Sequence, residues 1–469
     1  MLAVADSCGM RRDGIMVDAP WALTGTAHRG RVRLTTLSPR AGIGRDRRDR
    51  DMSLIIPYLY LALTVLITPF FLFIALVTAA ALVGRRRRAA ASRPVRFLIV
   101  IPAHDEEESI RSTVESCRAV DYDPALYTVS VIADNCTDGT AHVAREAGAL
   151  VTERNDPDRR SKGYALEYFF ERGLPPHPSG DYDAVVVIDA DTVVDSGMLA
   201  AFAQGVAAGQ DWIQCYYTVR NPEDSWRTRL MTYAFSLFNG VFPLGLDRMG
   251  LGVPLRGNGM CFTTRGLARF PWMAYGLTED LEFSWHLRTS GERIHFRPDT
   301  HVSASMLSRG GKAAAAQRRR WEDGRKSLRS EILRSLLWSR RLSSFPKLMH
   351  LIELLFPPLV TLLASVIAAS SIHILNYFDN SMQPMARRLL PAHVLMIAVL
   401  MGYTLSPFLV MGLPLRYLSS FIRVPHFAVW KLLITLTERR PTTWVRTPRE
   451  PAAGDAIGSS TRPGGHVIR

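Results

Sequence analysis

The chain reads as an α/β domain, built on a doubly wound and mainly parallel sheet, set between transmembrane helices. Three observations predict this. The runs FLIVIPA (97–103), YTVSVIADN (127–135) and DAVVVIDAD (183–191) are short and rich in Val and Ile, as strands buried on both faces are. Helical segments separate them, at Glu106–Ala119, Thr140–Gly148 and Gly163–Arg172, and strands alternating with helices imply parallel crossovers. Long apolar stretches flank this region on both sides.

The elements follow in order. Met1–Asp51 is an arm with ten arginines, six aspartates and no lysine. One crossing after it would leave those arginines outside, against the positive-inside tendency. Met52 precedes the first apolar run directly and is expected to be the true start, with the arm an upstream or disordered stretch. Leu54–Val83 carries no charge over about 30 residues, more than the ~20 needed to span hydrocarbon. Arg85–Arg88 follow at once and mark the cytoplasmic side, so residues 96–340 are expected in the cytosol, below an inner or plasma membrane that the chain crosses several times. Leu348–Leu375 holds a single carboxylate or basic charge, Glu353, and Leu389–Leu415 holds none; both read as transmembrane helices. Phe421–Leu436 is too polar to span and reads as an interfacial helix, and residues 445–469 as a disordered tail.

A net charge of +14 fits anionic partners: nucleic acid, acidic lipid or a phosphorylated substrate. Nucleic acid is disfavoured, because no helix-turn-helix, zinc finger or aromatic RNP stretch is present and arginines flank the membrane segments. The five cysteines show no CxxC spacing, which disfavours a zinc site or a disulfide framework.

The chemistry sits where the strands end. In open α/β sheets ligands bind beyond the carboxyl ends of the strands. Strand one ends in PAHDEEESI, strand two in ADNCTDGT, and a later strand in DADTVVD. Asp189 and Asp191 lie two apart at a strand exit and point the same way, an arrangement suited to Mg2+ or Mn2+ shared with substrate phosphates. Further on, Thr278-Glu279-Asp280 opens a helix, with Thr278 expected as N-cap. The acids suit the helix dipole, and a carboxylate there is also placed to take a proton. In QRRRW, Gln317 and Trp321 are four apart and share a helix face, Arg320 offers a fork for phosphate oxygens, and the indole a plate for a sugar face. A membrane-surface anchor is the competing account of the same residues.

With these motifs in sequence, the chain resembles the membrane-embedded glycosyltransferases of family 2, which include cellulose, chitin and hyaluronan synthases and ceramide glucosyltransferases. The likeness covers about Arg96 to Leu436. It implies a GT-A nucleotide-binding domain and inverting transfer of a sugar from a nucleotide-sugar, expected to be a UDP-sugar. By the same resemblance Pro102, Ala103 and Glu106 contact the nucleotide, Asp134 holds the base, and Asp189 and Asp191 position metal and diphosphate. Asp280 is the base, Arg320 faces the diphosphate, and Glu279, Gln317, Trp321, Gly257 and Asn258 line the acceptor side. His104-Asp105-Glu106 departs from the family's first motif, which often has Asn before its acids. The expected acceptor is a polysaccharide, with single transfer to a lipid as the alternative and a catalytically inactive membrane scaffold as a more distant one.

Overall fold

Alternate residues of the apolar strands enter different cores. In FLIVIPA, Phe97, Ile99 and Ile101 pack into one hydrophobic cluster, and Leu98 and Val100 into another. Such a strand cannot alternate polar and apolar residues, because both its faces are covered.

The computed structural model describes residues 43–83, 94–172, 181–276, 278–308, 324, 328–377 and 383–425. Its strands are β1 (Phe97–Ala103), β2 (Tyr127–Asp134), β3 (Leu150–Arg154), β4 (Ala184–Val187), β5 (Thr192–Val194), β6 (Trp212–Val219), β7 (Met260–Thr263) and β8 (Ile294–Ala304). Its α-helices are α1 (Ile43–Val83), α2 (Glu107–Arg118), α3 (Thr140–Glu146), α4 (Lys162–Glu171), α5 (Met198–Ala207), α6 (Trp226–Phe235), α7 (Phe242–Arg248), α8 (Thr264–Arg269), α9 (Glu279–Thr289), α10 (Arg329–Trp338), α11 (Ser344–Leu355), α12 (Leu359–Tyr377) and α13 (Gln383–Val410). The chain divides into residues 1–56 and 57–469; of the first unit only the start of α1 is described, and the site lies in the second.

The sheet runs β3-β2-β1-β4-β7-β6-β8-β5. From β3 to β4 every pairing is parallel, as the sequence pattern predicts. Beyond β4 the expectation of a mainly parallel sheet fails. β7 runs antiparallel to both β4 and β6, β5 runs antiparallel to β8, and only β6 and β8 are parallel. The physical reason is that burial on both faces makes any central strand apolar, so composition carries no information about direction.

One core packs α2, α3 and α5 on one face of the sheet. The other packs α4 and α9 on the opposite face, and it continues into apolar residues of α1, α12 and α13 such as Phe73, Val77, Leu362 and Tyr403. Arg248 closes α1 by donating to the carbonyl of Ala81, where a cation suits the helix C-terminus.

Tyr58–Val83 and Arg387–Val410 are long and apolar enough to cross a membrane. The stretch 348–375, expected as one transmembrane helix, holds two helices, α11 and α12, that meet at 84°. Pro357 and Pro358 lie between them; they remove two amide donors and disfavour helical backbone at the residue before. Glu353, the one charge of that stretch, accepts from the fully buried Arg288 of α9, at 3.1 Å to Oε1 and closer at Oε2. Leu415–Arg423 forms a 3-10 helix where the interfacial segment was expected to begin. The remainder of that segment and the tail lie outside the described residues.

Candidate functional site

Four chain segments converge at the carboxyl end of β4. Asp189 and Asp191 sit in the turn between β4 and β5, both partly exposed. Glu279 and Asp280 are the first two residues of α9. Glu282, one turn on, accepts from the backbone N–H groups of Tyr275 (3.1 Å) and Gly276 (3.0 Å), which fastens the approach to that helix. Thr278 takes the N-cap position, but its side chain makes no cap hydrogen bond. It packs against Gly324, where a Cβ would collide with its methyl and hydroxyl, so the expected capping role is corrected to a packing one.

The fourth segment was not singled out in the sequence. Lys162 is the first residue of α4, behind the N-cap Ser161. A Cβ on the next residue, Gly163, would strike the Ala274 carbonyl, and Trp272 Nε1 donates to Gly163 O at 3.1 Å. The start of α4 is thereby seated on the loop that leads into α9. The Lys162 ammonium donates to Asp189 Oδ1 and to the carbonyl of Gly257, and lies 3.9 Å from Glu279 Oε1. A cation in the first turn of a helix opposes the dipole. That misplacement was the signal available in the sequence.

Gly257 has φ +74°, and a Cβ there would lie 3.3 Å from Asp280 Oδ2, so the backbone approaches this carboxylate at a position only glycine suits. The acids are crowded and only partly exposed. Burial pushes Glu279 up to about 7, opposed by Lys162 and reinforced by Asp280. Burial also raises Asp280, against the Leu281 N–H, Lys162 and Arg256. For Lys162 burial favours the neutral amine, yet Asp189 and Glu279 outweigh it and hold the pKa above its ordinary value. A buried carboxylate poised near neutrality beside a fixed cation is an arrangement suited to general-base chemistry.

Asp189 and Asp191 are hard oxygen donors that fit Mg2+ or Mn2+, leaving most of an octahedral shell to phosphate and water. Among the described residues, the three side chains whose ligand atoms lie within 4.8 Å of one another are instead Asp105, Cys136 and Asp138. Those carboxylates are engaged by the N–H groups of Thr137 (2.6 Å) and Thr140 (3.0 Å), and burial pushes the Cys136 thiol up to about 11. This grouping is a loop whose carboxylates are hydrogen-bonded by its own backbone.

The ends of β1 and β2 form the adjoining edge. Pro102 and Ala103 close β1; Glu106 precedes α2, and its Oε2 accepts from Ser109 Oγ at 3.0 Å. The same hydroxyl lies 3.0 Å from the carbonyl of Ala190, so Glu106 is one side chain away from the DAD turn. Asp134 is 6% exposed, and its Oδ1 accepts from Arg154 Nη1 at 2.5 Å and from Asn135 Nδ2 at 3.0 Å. Arg154, equally buried, also donates to Asp156 at 3.0 Å. This partner was not anticipated from the sequence; it stands at the end of the neighbouring strand, β3.

Asn258, expected on the acceptor side, is fully buried, with both amide atoms bonded to the Asp189–Thr192 segment. That expectation is corrected: a side chain without exposed surface cannot meet an acceptor. Gln317, Arg320 and Trp321 lie outside the described residues.

Residues 94–324, just under half of the chain, match the model of a family described as glycosyltransferase-like family 2. This segment resembles the glycosyltransferase domains of that family. Its curated relatives include a low-salt glycan biosynthesis hexosyltransferase of Haloferax volcanii, 36% identical over 111 residues, which are 24% of this chain and 24% of that protein. Another is the glycosyltransferase AglD of the same organism, 31% identical over 134 residues, 27% of this chain and 20% of that protein. The chain thus aligns with about a quarter or less of these relatives' length. Among solved structures it is similar to a mannosyltransferase of Pyrobaculum calidifontis in complex with GDP-Man and Mn2+, with 18% identity and a TM-score of 0.47, covering 75% of this chain and 99% of that one.

Proposed function

We propose that the family 2 domain transfers a sugar from a nucleotide-sugar to a hydroxyl acceptor, with inversion, at the cytoplasmic face of a membrane. The observation that carries this reading is the meeting of Asp189, Lys162, Glu279 and Asp280 around the carbonyl of Gly257. It sets a diphosphate-type cation site beside a candidate base. Asp189 and Asp191 would hold Mg2+ or Mn2+, which when bound supplies positive charge opposite a diphosphate. Lys162 adds a fixed cation on the same side. Pro102, Ala103, Glu106 and Asp134, with Arg154 behind it, form the nucleoside side of the pocket.

In this scheme Asp280 takes the proton of the acceptor hydroxyl. The oxygen forms a bond to the anomeric carbon as the bond to the nucleoside diphosphate breaks, and the configuration inverts in one displacement. Glu279 tunes that proton transfer through its own charge. Arg320, Gln317 and Trp321 are assigned by resemblance to the diphosphate and acceptor sides.

The favoured acceptor is a growing glycan, in a membrane crossed by α1 and α13. The test is to incubate the detergent-solubilised full chain with Mn2+ and a panel of UDP- and GDP-sugars, and to size the products. Donor hydrolysis, with a ladder of products on a glycan acceptor, is expected. A single glycolipid product would move the acceptor to the lipid class. No hydrolysis or transfer with any donor would reject the enzymatic reading in favour of a scaffold.

A further inference from the structure

The turn that carries the two acids is held by side chains. β4 ends at Val187 and β5 begins at Thr192. On one side α2 supplies hydroxyls: Thr113 Oγ1 donates to the Ala190 carbonyl at 2.9 Å and accepts from Thr192 N–H at 3.1 Å, and Ser109 Oγ lies 3.0 Å from the same carbonyl. On the other side stands Asn258. Its Oδ1 accepts from Asp189 N–H at 3.2 Å, and its Nδ2 donates to Thr192 Oγ1 at 2.7 Å. One planar amide therefore grips the turn at the first acid and again just past the second.

Asn258 is itself fixed. Gln214, also fully buried, donates from Nε2 to the Asn258 carbonyl at 2.8 Å and accepts at Oε1 from Arg256 N–H at 2.9 Å. Gly257 and Gly259, with φ of +74° and +68°, bend the chain on either side of it. Two amides buried without solvent contact are costly unless every polar atom is paired in good geometry, and a leucine would fill the same volume more cheaply. Here the pairing runs to the acid-bearing turn, to the loop beside Asp280 and to the Cys215 carbonyl within β6 itself.

We infer that Asn258, backed by Gln214, is a positioning residue for Asp189 and Asp191, setting the separation and direction of the two carboxylates from beneath. The inference rests on the reading of those acids as the metal and diphosphate site. Partners of this kind, which orient ligands without touching the metal, typically change metal affinity about 10–100-fold when removed.

The test measures Mn2+ binding by electron paramagnetic resonance on the full chain in detergent, with UDP or GDP present, and thermal unfolding without Mn2+ in parallel. Asn258→Ala is expected to unfold as a single species and to bind Mn2+ about 10–100-fold more weakly than the unmodified protein. Thr192→Val keeps the side-chain shape and deletes the Nδ2 link together with the 3.5 Å contact of Thr192 Oγ1 with Asp191 Oδ1; a smaller weakening in the same direction is expected. A folded Asn258→Ala protein with unchanged Mn2+ affinity overturns the inference. Should that variant fail to fold, unchanged affinity in Thr192→Val overturns it instead. If the unmodified protein retains no Mn2+ with either nucleotide, the metal-diphosphate reading falls first and takes the inference with it, so the two failures are told apart by the protein that shows them.

Discussion

Asp134 and Asp189 stand at or just past the carboxyl ends of parallel strands, β2 and β4, in the same sheet, yet their surroundings make them different groups. Asp134 is buried against an equally buried arginine from the adjacent strand, with Asn135 on the same oxygen. Asp189 keeps a third of its side chain exposed and shares a mobile type of partner, the lysine of a separate helix, with a backbone carbonyl and a second acid. The first arrangement is closed and serves to fix two strand ends. The second is open and unbalanced, with more acids than cations, so it retains capacity for a further cation. An aspartate at a strand end therefore says where a ligand can come; its counterion says whether its charge is already balanced.

That contrast is breakable by mutation. The largest effect is expected on the open side: Asp280→Asn should lower turnover by about 10²–10⁴-fold while leaving nucleotide binding in place, since correct placement of a general base is worth that much. A binding titration beside a rate measurement checks it, and an active variant removes Asp280 as base. Next comes the closed side. Arg154→Met strands a buried carboxylate and should cost about 3–5 kcal/mol of stability, read as a lower midpoint in denaturant. Asp189→Asn, by contrast, should lose activity with the midpoint nearly unchanged. If the two variants behave alike, the distinction between a charge-balanced and an open aspartate is wrong.

Smaller effects sharpen the electrostatics. With Asp280 raised by burial, the acid limb of kcat/KM should lie above the ordinary carboxylate range. Glu279→Gln removes one negative neighbour from Asp280 and should move that limb to lower pH. The same substitution has a stability signature. A carboxyl whose folded pKa is raised contributes stability below its unfolded value near 4.5, and this is lost as pH rises through about 7. Glu279→Gln should therefore raise the melting temperature at pH 8 and change it least near pH 4. An unchanged melting temperature at both values would show that Lys162 compensates the charge fully.

Much of this was legible without coordinates. β1, β2 and β4 and the first three intervening helices were readable because strands buried on both faces are apolar throughout and helices with capping and turn residues between them are not. The acids were readable because strand ends and helix starts are the places where carboxylates gather. Lys162 was not read, although its position in the first turn of a helix was a visible anomaly. Arg154 and Asn258 were out of reach in a different sense. Their roles depend on β3 lying beside β2 and on β7 lying antiparallel to β4, pairings that leave no mark on local composition. The break in the stretch 348–375 did leave a mark in the sequence, the adjacent Pro357 and Pro358, which disfavour a continuous helix.

Taken alone, the sequence determined the parallel half of the sheet, the apolar helices on either side, and the chemical types brought to the strand ends, because burial and backbone preference act over a few residues. Only the tertiary structure decided the antiparallel half, the partners of each acid, and which aspartate remains open. Those depend on contacts between residues 20 to nearly 120 positions apart, such as Asp134 with Arg154 and Lys162 with Glu279, and a counterion that arrives from a distant strand or helix sets a carboxylate's charge and availability more strongly than its own neighbours do.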